Sequence, residues 1–381
     1  MNEVRFELET DPPRVLVQTG GQMVELPALW LRERCQDPMS LDPHTQQRLF
    51  DPHRLSDDLT LVHVEGTAEN RARLSFSDGY SGEYELTRLA DELDRGEGLP
   101  PEVPWRADLA LAAVSVDGRG LDTDEVRLTA VTRLLTHGLV IIRHLSTDPE
   151  CILEVAGRFG YVRETNFGRH FEVYSRPGSN DLAYRPVRLG AHTDNPYREP
   201  VPGVQLLHCL VNETTGGLST LVDSLSVAEA LREEDPQGLE LLASTPVRFR
   251  FIDAKEELIE HRSIVQRDTA GRMTGVHYSP RLDYLPLLDA ATTRRFQRAR
   301  RRLSELFADA RFELKFPLGA GELMMFNNSR VLHGRTAYDP NEGHRHLQGC
   351  YIDLDGPRSL YRTLSRRLES QDPGSPQAGA A

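Results

Sequence analysis

The sequence has few cysteines, few aromatic residues and no long apolar run. Its 381 residues include four cysteines and no CxxC pair, so we expect no disulfide framework and a reducing, cytoplasmic compartment. Apolar runs such as "LALAAV" are too short to span a bilayer, and no basic stretch followed by an apolar run marks a signal peptide. The formal net charge of −13 argues against nucleic acid and anionic membranes as partners.

The chain does contain many short segments in which apolar and polar residues alternate. Such segments, separated by turn residues, predict a small N-terminal β domain over residues 1–95. The Gly- and Pro-rich stretch 96–105 is predicted to be a linker. Residues 106–368 form the second predicted domain, and the polar, Pro/Gly/Ala-rich residues 369–381 form a predicted disordered tail.

In the second domain, helical periodicity is confined to a few segments and strand-like segments dominate. Residues 121–138 and 291–310 carry apolar residues at helical spacing. A β-rich core with helices on its outside favours a β-rich α+β fold of the double-sheet, jelly-roll type over an alternating parallel fold.

Four polar residues of this domain have the order and spacing of a metal site with a cosubstrate anchor. His192 and Asp194 form an HxD pair, and Arg345 follows His333 by 12 residues. Two histidines and one carboxylate on one face of a metal leave positions open, which suits non-haem Fe(II). An arginine nearby can bind a distal carboxylate through a bidentate pair. Each histidine alone is more often structural, but the complete set favours a metal site.

With the strings "PGVQLLHC", "TGGLS", "LHGR" and "RHLQGCYID", the same residues resemble the γ-butyrobetaine and trimethyllysine hydroxylase family of the taurine dioxygenase superfamily. The resemblance covers nearly the whole chain, including "LPALWLRERC" in the N-terminal domain. It implies a double-stranded β-helix core in residues 106–368, with Fe(II) bound by His192, Asp194 and His333. The cosubstrates would be 2-oxoglutarate and O2, and ascorbate would stimulate turnover.

The resemblance also assigns the cosubstrate residues and the reaction. Arg345 would pair with the C5 carboxylate of 2-oxoglutarate, Ser219 would hydrogen-bond the same end, and Leu207 would line that pocket. The implied reaction couples hydroxylation of an unactivated C–H bond to decarboxylation of 2-oxoglutarate, which yields succinate and CO2. The resemblance further implies a homodimer.

At the substrate end, members of this family bind a trimethylammonium group with aromatic ring faces, since a quaternary cation is attracted to ring quadrupoles. The matching positions hold Phe167, Phe171, Tyr184 and Tyr351. Tyr184 and Tyr351 lie in the best-matched strings and are favoured. The alternative for each of the four is an ordinary core aromatic.

Three positions depart from the γ-butyrobetaine pattern. Asn195 stands where an aromatic residue would complete the cage, Asp181 replaces an asparagine, and Arg281 lies where asparagines serve the anionic end. Arg281 with Asn195 would accommodate a doubly charged anion such as a phosphonate, or Arg281 and Asp181 form a structural ion pair. We therefore expect a small trimethylammonium acid, either γ-butyrobetaine-like or 2-trimethylaminoethylphosphonate. Trimethyllysine is less favoured because no residues are identifiable for its α-amino acid head.

The N-terminal domain of relatives binds a structural zinc through three cysteines and a histidine. Here Cys35 is the one ligand that remains, with His44 as a candidate for an altered site. The other family positions hold Asp37, Ser40 or Met39, and Tyr80. A closed zinc site needs four good ligands, so no zinc is expected.

Three alternatives to this function remain. The nearest is a dioxygenase of the same superfamily acting on another small zwitterion or acid. The others are a non-catalytic protein that binds a metal or a small acid on the same fold, and a zinc hydrolase. A complete ligand set argues against a non-catalytic protein, and a zinc hydrolase has no use for Arg345 or Ser219. Formation of succinate separates a dioxygenase from both.

Overall fold

The computed structural model describes residues 4–19, 21–93, 98–174, 187–339 and 341–371. The chain separates into two compact units, residues 1–98 and 99–381. The second unit begins inside the expected linker, and Trp105 is already buried in it. No described helix has the length and apolar character needed to cross a membrane.

Among its described residues, the first unit contains two three-stranded antiparallel sheets and two short α-helices. The first sheet consists of β1 (Arg5–Thr10), β2 (Pro13–Thr19) and β3 (Gln22–Glu25). The second consists of β4 (Leu61–Ala68), β5 (Arg71–Phe76) and β6 (Ser81–Glu85). The helices are α1 (Ala28–Arg32) and α2 (Leu86–Leu93). Alternate residues of the second sheet, such as Val64, Leu74 and Tyr84, are fully buried, as the period of two requires.

The side chains at three positions that the family resemblance assigns to zinc ligands in relatives, those of Cys35, Asp37 and Tyr80, are joined by contacts with Arg32 or with one another. The Arg32 guanidinium lies 3.9 Å from the centre of the Tyr80 ring, and its Nη1 is 3.6 Å from the sulfur of Cys35. The Tyr80 hydroxyl donates a hydrogen bond to Asp37, while Met39 is exposed. The absence of zinc from this unit stays a prediction.

The second unit contains fifteen strands and six α-helices among its described residues. The strands are β7 (Ser115–Asp117), β8 (Leu139–Arg143), β9 (Phe171–Tyr174), β10 (Leu189–His192), β11 (Val204–Asn212), β12 (Ser219–Asp223), β13 (Pro246–Ile252), β14 (Glu257–Ser263), β15 (Val265–Arg267), β16 (Met273–Val276), β17 (Asp283–Tyr284), β18 (Leu314–Phe316), β19 (Leu323–Asn327), β20 (Val331–Arg335) and β21 (Arg345–Ile352). The helices are α3 (Asp124–His137), α4 (Cys151–Gly157), α5 (Ser224–Glu234), α6 (Pro236–Ser244), α7 (Ala290–Phe307) and α8 (Asp355–Gln371).

Two sheets of this unit face each other across an apolar layer. The larger has the order β7-β8-β19-β11-β21-β9 and the smaller has the order β10-β20-β12-β18. Leu207 and Phe326 of the larger sheet pack in one cluster with Leu221 and Val331 of the smaller sheet. This pair of facing sheets is the jelly-roll core that the sequence pattern predicts.

Helices cover the outer faces of both sheets. Because side chains alternate along a strand, Leu206 points away from its neighbour Leu207 and packs with residues of α3 and α4. Val222 and Leu332 of the smaller sheet likewise pack against α5, α6 and α7. The space between the sheets is therefore reached only by every second residue of each strand.

A fully buried ion pair connects the smaller sheet to the start of the unit. The Arg330 guanidinium binds Asp223 through Nε–Oδ1 and Nη2–Oδ2 contacts of 3.1 and 3.0 Å. It also donates to the carbonyls of Thr136 and Val103, while Asp223 accepts from the amide of Trp105. Removing one partner of such a pair costs about 3–5 kcal/mol, because the other charge is left buried alone.

The C-terminal helix extends further than the sequence predicted. Residues 369–371, which we expected to be part of a disordered tail, form the last residues of α8. Leu364 anchors this helix in the core. Residues 372–381 lie outside the described residues.

Candidate active site

The three predicted metal ligands lie together where β10 pairs with β20. His192 is the direct partner of His333 in this antiparallel pair, and their ring centres are 4.3 Å apart. Asp194 Oδ1 lies 3.4 Å from His192 Nε2, and Asp194 Oδ2 lies 4.0 Å from His333 Nε2. Among the described residues, this is the one group of three metal-binding side chains whose ligand atoms all lie within 4.8 Å of one another.

The protonation of these groups suits a metal. His192 Nδ1 donates to the carbonyl of Gly190 at 3.0 Å, which holds the ring with Nε2 on the side of Asp194. Burial, together with the nearby His192 and Arg281, lowers the pKa of His333 to about 3, so its ring is neutral. Burial alone would raise the pKa of Asp194, but the two histidines and Tyr351 hold that pKa below its ordinary value.

Asp194 is held at its backbone and at its carboxylate by two different residues. The buried side chain of Asn328 accepts from the amide of Asp194 at 2.8 Å and donates to its carbonyl at 2.9 Å. The hydroxyl of Tyr351 donates to Asp194 Oδ2 at 2.7 Å. The sequence analysis missed Asn328, although "FNNSR" between two strands is a signal that could have indicated it.

Arg345 begins β21 and presents a buried guanidinium between the sheets. Its Nε and Nη1 have no hydrogen-bond partner in the structure, and Nη2 makes one 3.4 Å contact with the carbonyl of Gly217. A side chain at Gly217 would place its Cβ 2.9 Å from Arg345 Nε, so glycine permits this approach. Burial lowers the pKa of Arg345. Buried unpaired charge is costly, and a carboxylate ligand would relieve that cost.

The other two predicted cosubstrate residues lie, like Arg345, on the inner faces of the two facing sheets. Ser219 on β12 is buried opposite Arg335 of β20. Leu207 on β11 is buried opposite Gly349 of β21. Arg335 is a second buried arginine, for which the sequence predicted no role. Its guanidinium and that of Arg345 each lie 5.4 Å from the centre of the Tyr338 ring.

Five aromatic rings form a continuous row that we call the aromatic wall, in contact order Tyr351, Phe171, Phe167, Phe251 and Tyr197. Successive ring centres are 5.4, 6.3, 6.0 and 5.0 Å apart. The first residue of the wall, Tyr351, is the one that binds Asp194. The hydroxyl of the last residue, Tyr197, donates to Asn195 Oδ1 at 2.6 Å. The structure thus joins three of the four predicted cage residues and adds Tyr197 and Phe251. Tyr197 was recognisable from "HTDNPY", whereas Phe251 is brought there only by β13.

Asn195 occupies the backbone position directly after the predicted metal ligand. Its φ of +55° is left-handed, a conformation that asparagine tolerates better than most residues. The side chain is buried, and its Nδ2 has no hydrogen-bond partner in the structure. Asn195 therefore offers a free donor beside the site, where an aromatic residue would offer a ring face.

The remaining predicted substrate residues fall into two groups. Arg281 is exposed and contributes to the low pKa of His333, so its charge lies close to the site. Tyr278, three residues earlier, exchanges hydrogen bonds with Thr193 in the HxD motif, which ties this segment to the ligands. Tyr184 and Asp181 lie outside the described residues, so their predicted roles stay predictions.

The arrangement presents a two-histidine, one-carboxylate ligand set and an orphaned buried arginine within one pair of sheets. This donor set fits Fe(II) with open positions for other ligands. The guanidinium of Arg345 fits the distal carboxylate of a chelating dicarboxylic acid. Both groups expected from the sequence are therefore compatible with the side chains present.

Comparisons with known proteins agree with this chemistry. Residues 98–351 match the family described as taurine catabolism dioxygenase TauD, TfdA family. The γ-butyrobetaine dioxygenase of Pseudomonas sp. (strain AK-1) is 33% identical over 353 residues, covering 91% of this chain and 92% of the relative. The trimethyllysine dioxygenase of Meyerozyma guilliermondii is 26% identical over 359 residues, covering 88% of this chain and 89% of the relative.

A solved structure adds a likeness of fold alone. AAD-2 in complex with Mn(II) and N-oxalylglycine has a TM-score of 0.50 at 15% identity, covering 62% of this chain and 93% of that chain. Together with the family match, these findings confirm the resemblance and the cofactors, Fe(II), 2-oxoglutarate and O2. The chain belongs to the TauD/TfdA family, and within it to the γ-butyrobetaine/trimethyllysine hydroxylase family of Fe(II)/2-oxoglutarate-dependent dioxygenases.

Proposed function

We propose that this dioxygenase hydroxylates a small acid that bears a trimethylammonium group, either γ-butyrobetaine-like or its counterpart 2-trimethylaminoethylphosphonate. The observation that carries the proposal is the aromatic wall, which starts at the hydroxyl bound to Asp194 and so lies directly beside the candidate iron ligands. When bound, Fe(II) with 2-oxoglutarate supplies O2 activation for C–H hydroxylation, with release of succinate and CO2. The protein orients the C–H bond and excludes water.

His192, Asp194 and His333 are the proposed iron ligands, and Arg345 is the proposed anchor of 2-oxoglutarate. The unpartnered Nε and Nη1 of Arg345 support this role, since a bidentate pair with a carboxylate satisfies both groups. Ser219 would hydrogen-bond the same carboxylate, and Leu207 would pack against the carbon chain. Both are buried between the facing sheets.

Phe167, Phe171 and Tyr351 are proposed to bind the trimethylammonium group through their ring faces, together with Tyr184. A quaternary cation gains about 2 kcal/mol or more from a desolvated ring face and cannot form a hydrogen bond. The wall supplies adjacent rings at tilted and edge-on angles, so that a compact cation can touch more than one of them.

Arg281 is proposed to bind the anionic end of the substrate, with Asn195 as a further donor. No described residue forms an ion pair with Arg281, and Asn195 Nδ2 is buried without a partner. Two such donors suit a phosphonate, which has more acceptor oxygens than a carboxylate. Asp181 is proposed to hold the cation or to pair with Arg281.

The detailed fold of the core, the identity of the first unit and the oligomeric state are also proposals. We propose that the facing sheets form a double-stranded β-helix and that the first unit is the N-terminal domain of the hydroxylase family, without zinc. The contacts among Arg32, Cys35, Asp37 and Tyr80 support the latter, because they engage the side chains that would otherwise be available to a metal. A homodimer is also proposed.

Succinate release by the purified protein tests the function. The assay contains Fe(II), ascorbate, 2-oxoglutarate and O2, with γ-butyrobetaine, 2-trimethylaminoethylphosphonate or trimethyllysine against a control without substrate. We expect one of the first two compounds to stimulate succinate release and to yield a product with one added oxygen atom. Arg281→Gln should raise the KM for the phosphonate more than the KM for the carboxylate.

Each of the other results of the succinate assay would support a different conclusion. Slow succinate formation that no compound stimulates would retain the dioxygenase and reject the substrate class, in favour of another small zwitterion or acid. No succinate from protein that carries iron would favour a non-catalytic binding protein. Equal stimulation by trimethyllysine would contradict the proposed use of Arg281.

A further inference from the structure

Tyr351 belongs to two groups of residues at once. Its ring is the first ring of the aromatic wall, 5.4 Å from the ring of Phe171. Its hydroxyl donates to Asp194 Oδ2 at 2.7 Å. Tyr351 is 4% exposed, so water does not replace this acceptor, and a buried hydroxyl without a partner would cost about 1–3 kcal/mol.

We propose that Tyr351 is a positioning residue for the metal ligand Asp194: its hydroxyl fixes the rotation of the carboxylate, while its ring serves the substrate pocket. The inference rests on the metal role of Asp194 in the proposed function. It concerns the hydroxyl and is independent of which substrate the ring contacts.

The need for such a residue follows from what else holds Asp194. Asn328 binds the amide and the carbonyl of Asp194, which fixes its backbone but leaves the side-chain torsions free. The described contacts of the carboxylate are with Tyr351, His192 and His333. Because the two histidines are the other proposed ligands, Tyr351 is the described residue that orients the carboxylate without being a ligand itself.

The hydrogen bond also makes the two carboxylate oxygens different. Oδ2 is occupied by the Tyr351 hydroxyl, whereas Oδ1 lies 3.4 Å from His192 Nε2. Asp194 would therefore offer Oδ1, the oxygen that the Tyr351 hydroxyl does not occupy, to a metal held by the two histidines.

The test compares two variants that each remove one hydroxyl from the aromatic wall. Tyr351→Phe deletes the bond to Asp194 and keeps the ring. The matched control, Tyr197→Phe, deletes the hydroxyl that donates to Asn195. Metal-free protein is titrated with Co(II) in the absence of substrate, and visible absorption reports both affinity and ligand geometry.

We expect Tyr351→Phe to weaken Co(II) binding about 10- to 100-fold, as loss of a partner that orients a metal ligand typically does. Its absorption spectrum should also change, and Tyr197→Phe should match the unsubstituted protein in both respects. In succinate assays, Tyr351→Phe should raise the iron requirement while leaving the substrate KM nearly unchanged, because the ring remains.

Unchanged Co(II) affinity and spectrum in Tyr351→Phe would overturn the inference and leave Tyr351 as an aromatic wall residue alone. Equal losses in Tyr197→Phe would also overturn it, since general disturbance of the wall would then be the cause. If Tyr351→Phe does not fold, Tyr351→Leu is titrated in the same way, and an unchanged Co(II) affinity and spectrum there would overturn the inference, because the hydroxyl is absent from that variant too. Failure of the proposed substrate leaves the Co(II) titration unaffected, so the two failures are distinguishable.

Discussion

Arg345→Met separates cosubstrate binding from protein stability, because the guanidinium of Arg345 is buried with two unpartnered nitrogens. Methionine retains most of the side-chain volume and removes the charge. If Arg345 is held ready for the distal carboxylate of 2-oxoglutarate, the substitution removes a binding interaction that the ligand-free protein does not make. Binding should therefore suffer while the ligand-free fold does not.

The magnitude follows from the contacts. A hydrogen bond to a charged group contributes about 1.5–3 kcal/mol, so a lost bidentate pair costs on the order of 3 kcal/mol. This corresponds to about a hundredfold increase in the Kd for 2-oxoglutarate. The free energy of unfolding of ligand-free protein should stay equal or increase, because an unpaired buried charge has been removed.

Arg330→Met is the matched control, since Arg330 is also buried but is fully paired with Asp223. It should lower the free energy of unfolding by about 3–5 kcal/mol, because Asp223 is left uncompensated. The measurements are chemical denaturation without ligands and titration of 2-oxoglutarate into protein that carries Fe(II) without oxygen. The reasoning is refuted if Arg345→Met destabilises as much as Arg330→Met, or if its 2-oxoglutarate affinity is unchanged.

Three further predictions concern other contacts. Asn328→Asp removes the Nδ2 donor to the carbonyl of Asp194 and should weaken Fe(II) binding about tenfold, as followed by anaerobic titration. Gly217→Ala places a Cβ 2.9 Å from Arg345 Nε and should raise the KM for 2-oxoglutarate while Co(II) affinity is unchanged. Burial lowers the pKa of His208 from 6.5 to about 4, so the unfolded chain binds a proton that the folded chain does not between these values. His208→Leu should therefore reduce the loss of stability between pH 6.5 and 5 by about 2 kcal/mol, as measured by denaturation at each pH.

The candidate iron ligands and Arg345 could be identified from the sequence because their chemistry restricts both residue type and spacing. His192 and His333 lie on two paired strands, and Asp194 follows two residues after His192, the spacing that returns a side chain to the same face of an extended chain. That period also accounts for the burial of Ser219 and Leu207 between the sheets. The family resemblance supplied the roles, which the residue types alone do not specify.

Other parts of the site depend on contacts between residues that are far apart in the chain. Asn328 binds Asp194 across 134 residues, and the Tyr351 hydroxyl reaches it across 157 residues. Phe251 joins the aromatic wall from β13, a strand outside the two facing sheets. Neither residue spacing nor alternation indicates which distant side chains will meet, because that depends on how the sheets and loops pack.

The sequence by itself determined the kind of protein: a β-rich dioxygenase chain with a His-x-Asp, a distal histidine and an arginine in a fixed order. Each of these features follows from the period of a strand or from the donors that a metal and a carboxylate require. Only the tertiary structure decided that Asp194 is held by Asn328 and Tyr351, and that Nε and Nη1 of Arg345 are left without hydrogen-bond partners. The physical reason is that hydrogen-bond satisfaction of a buried group depends on every element packed around it.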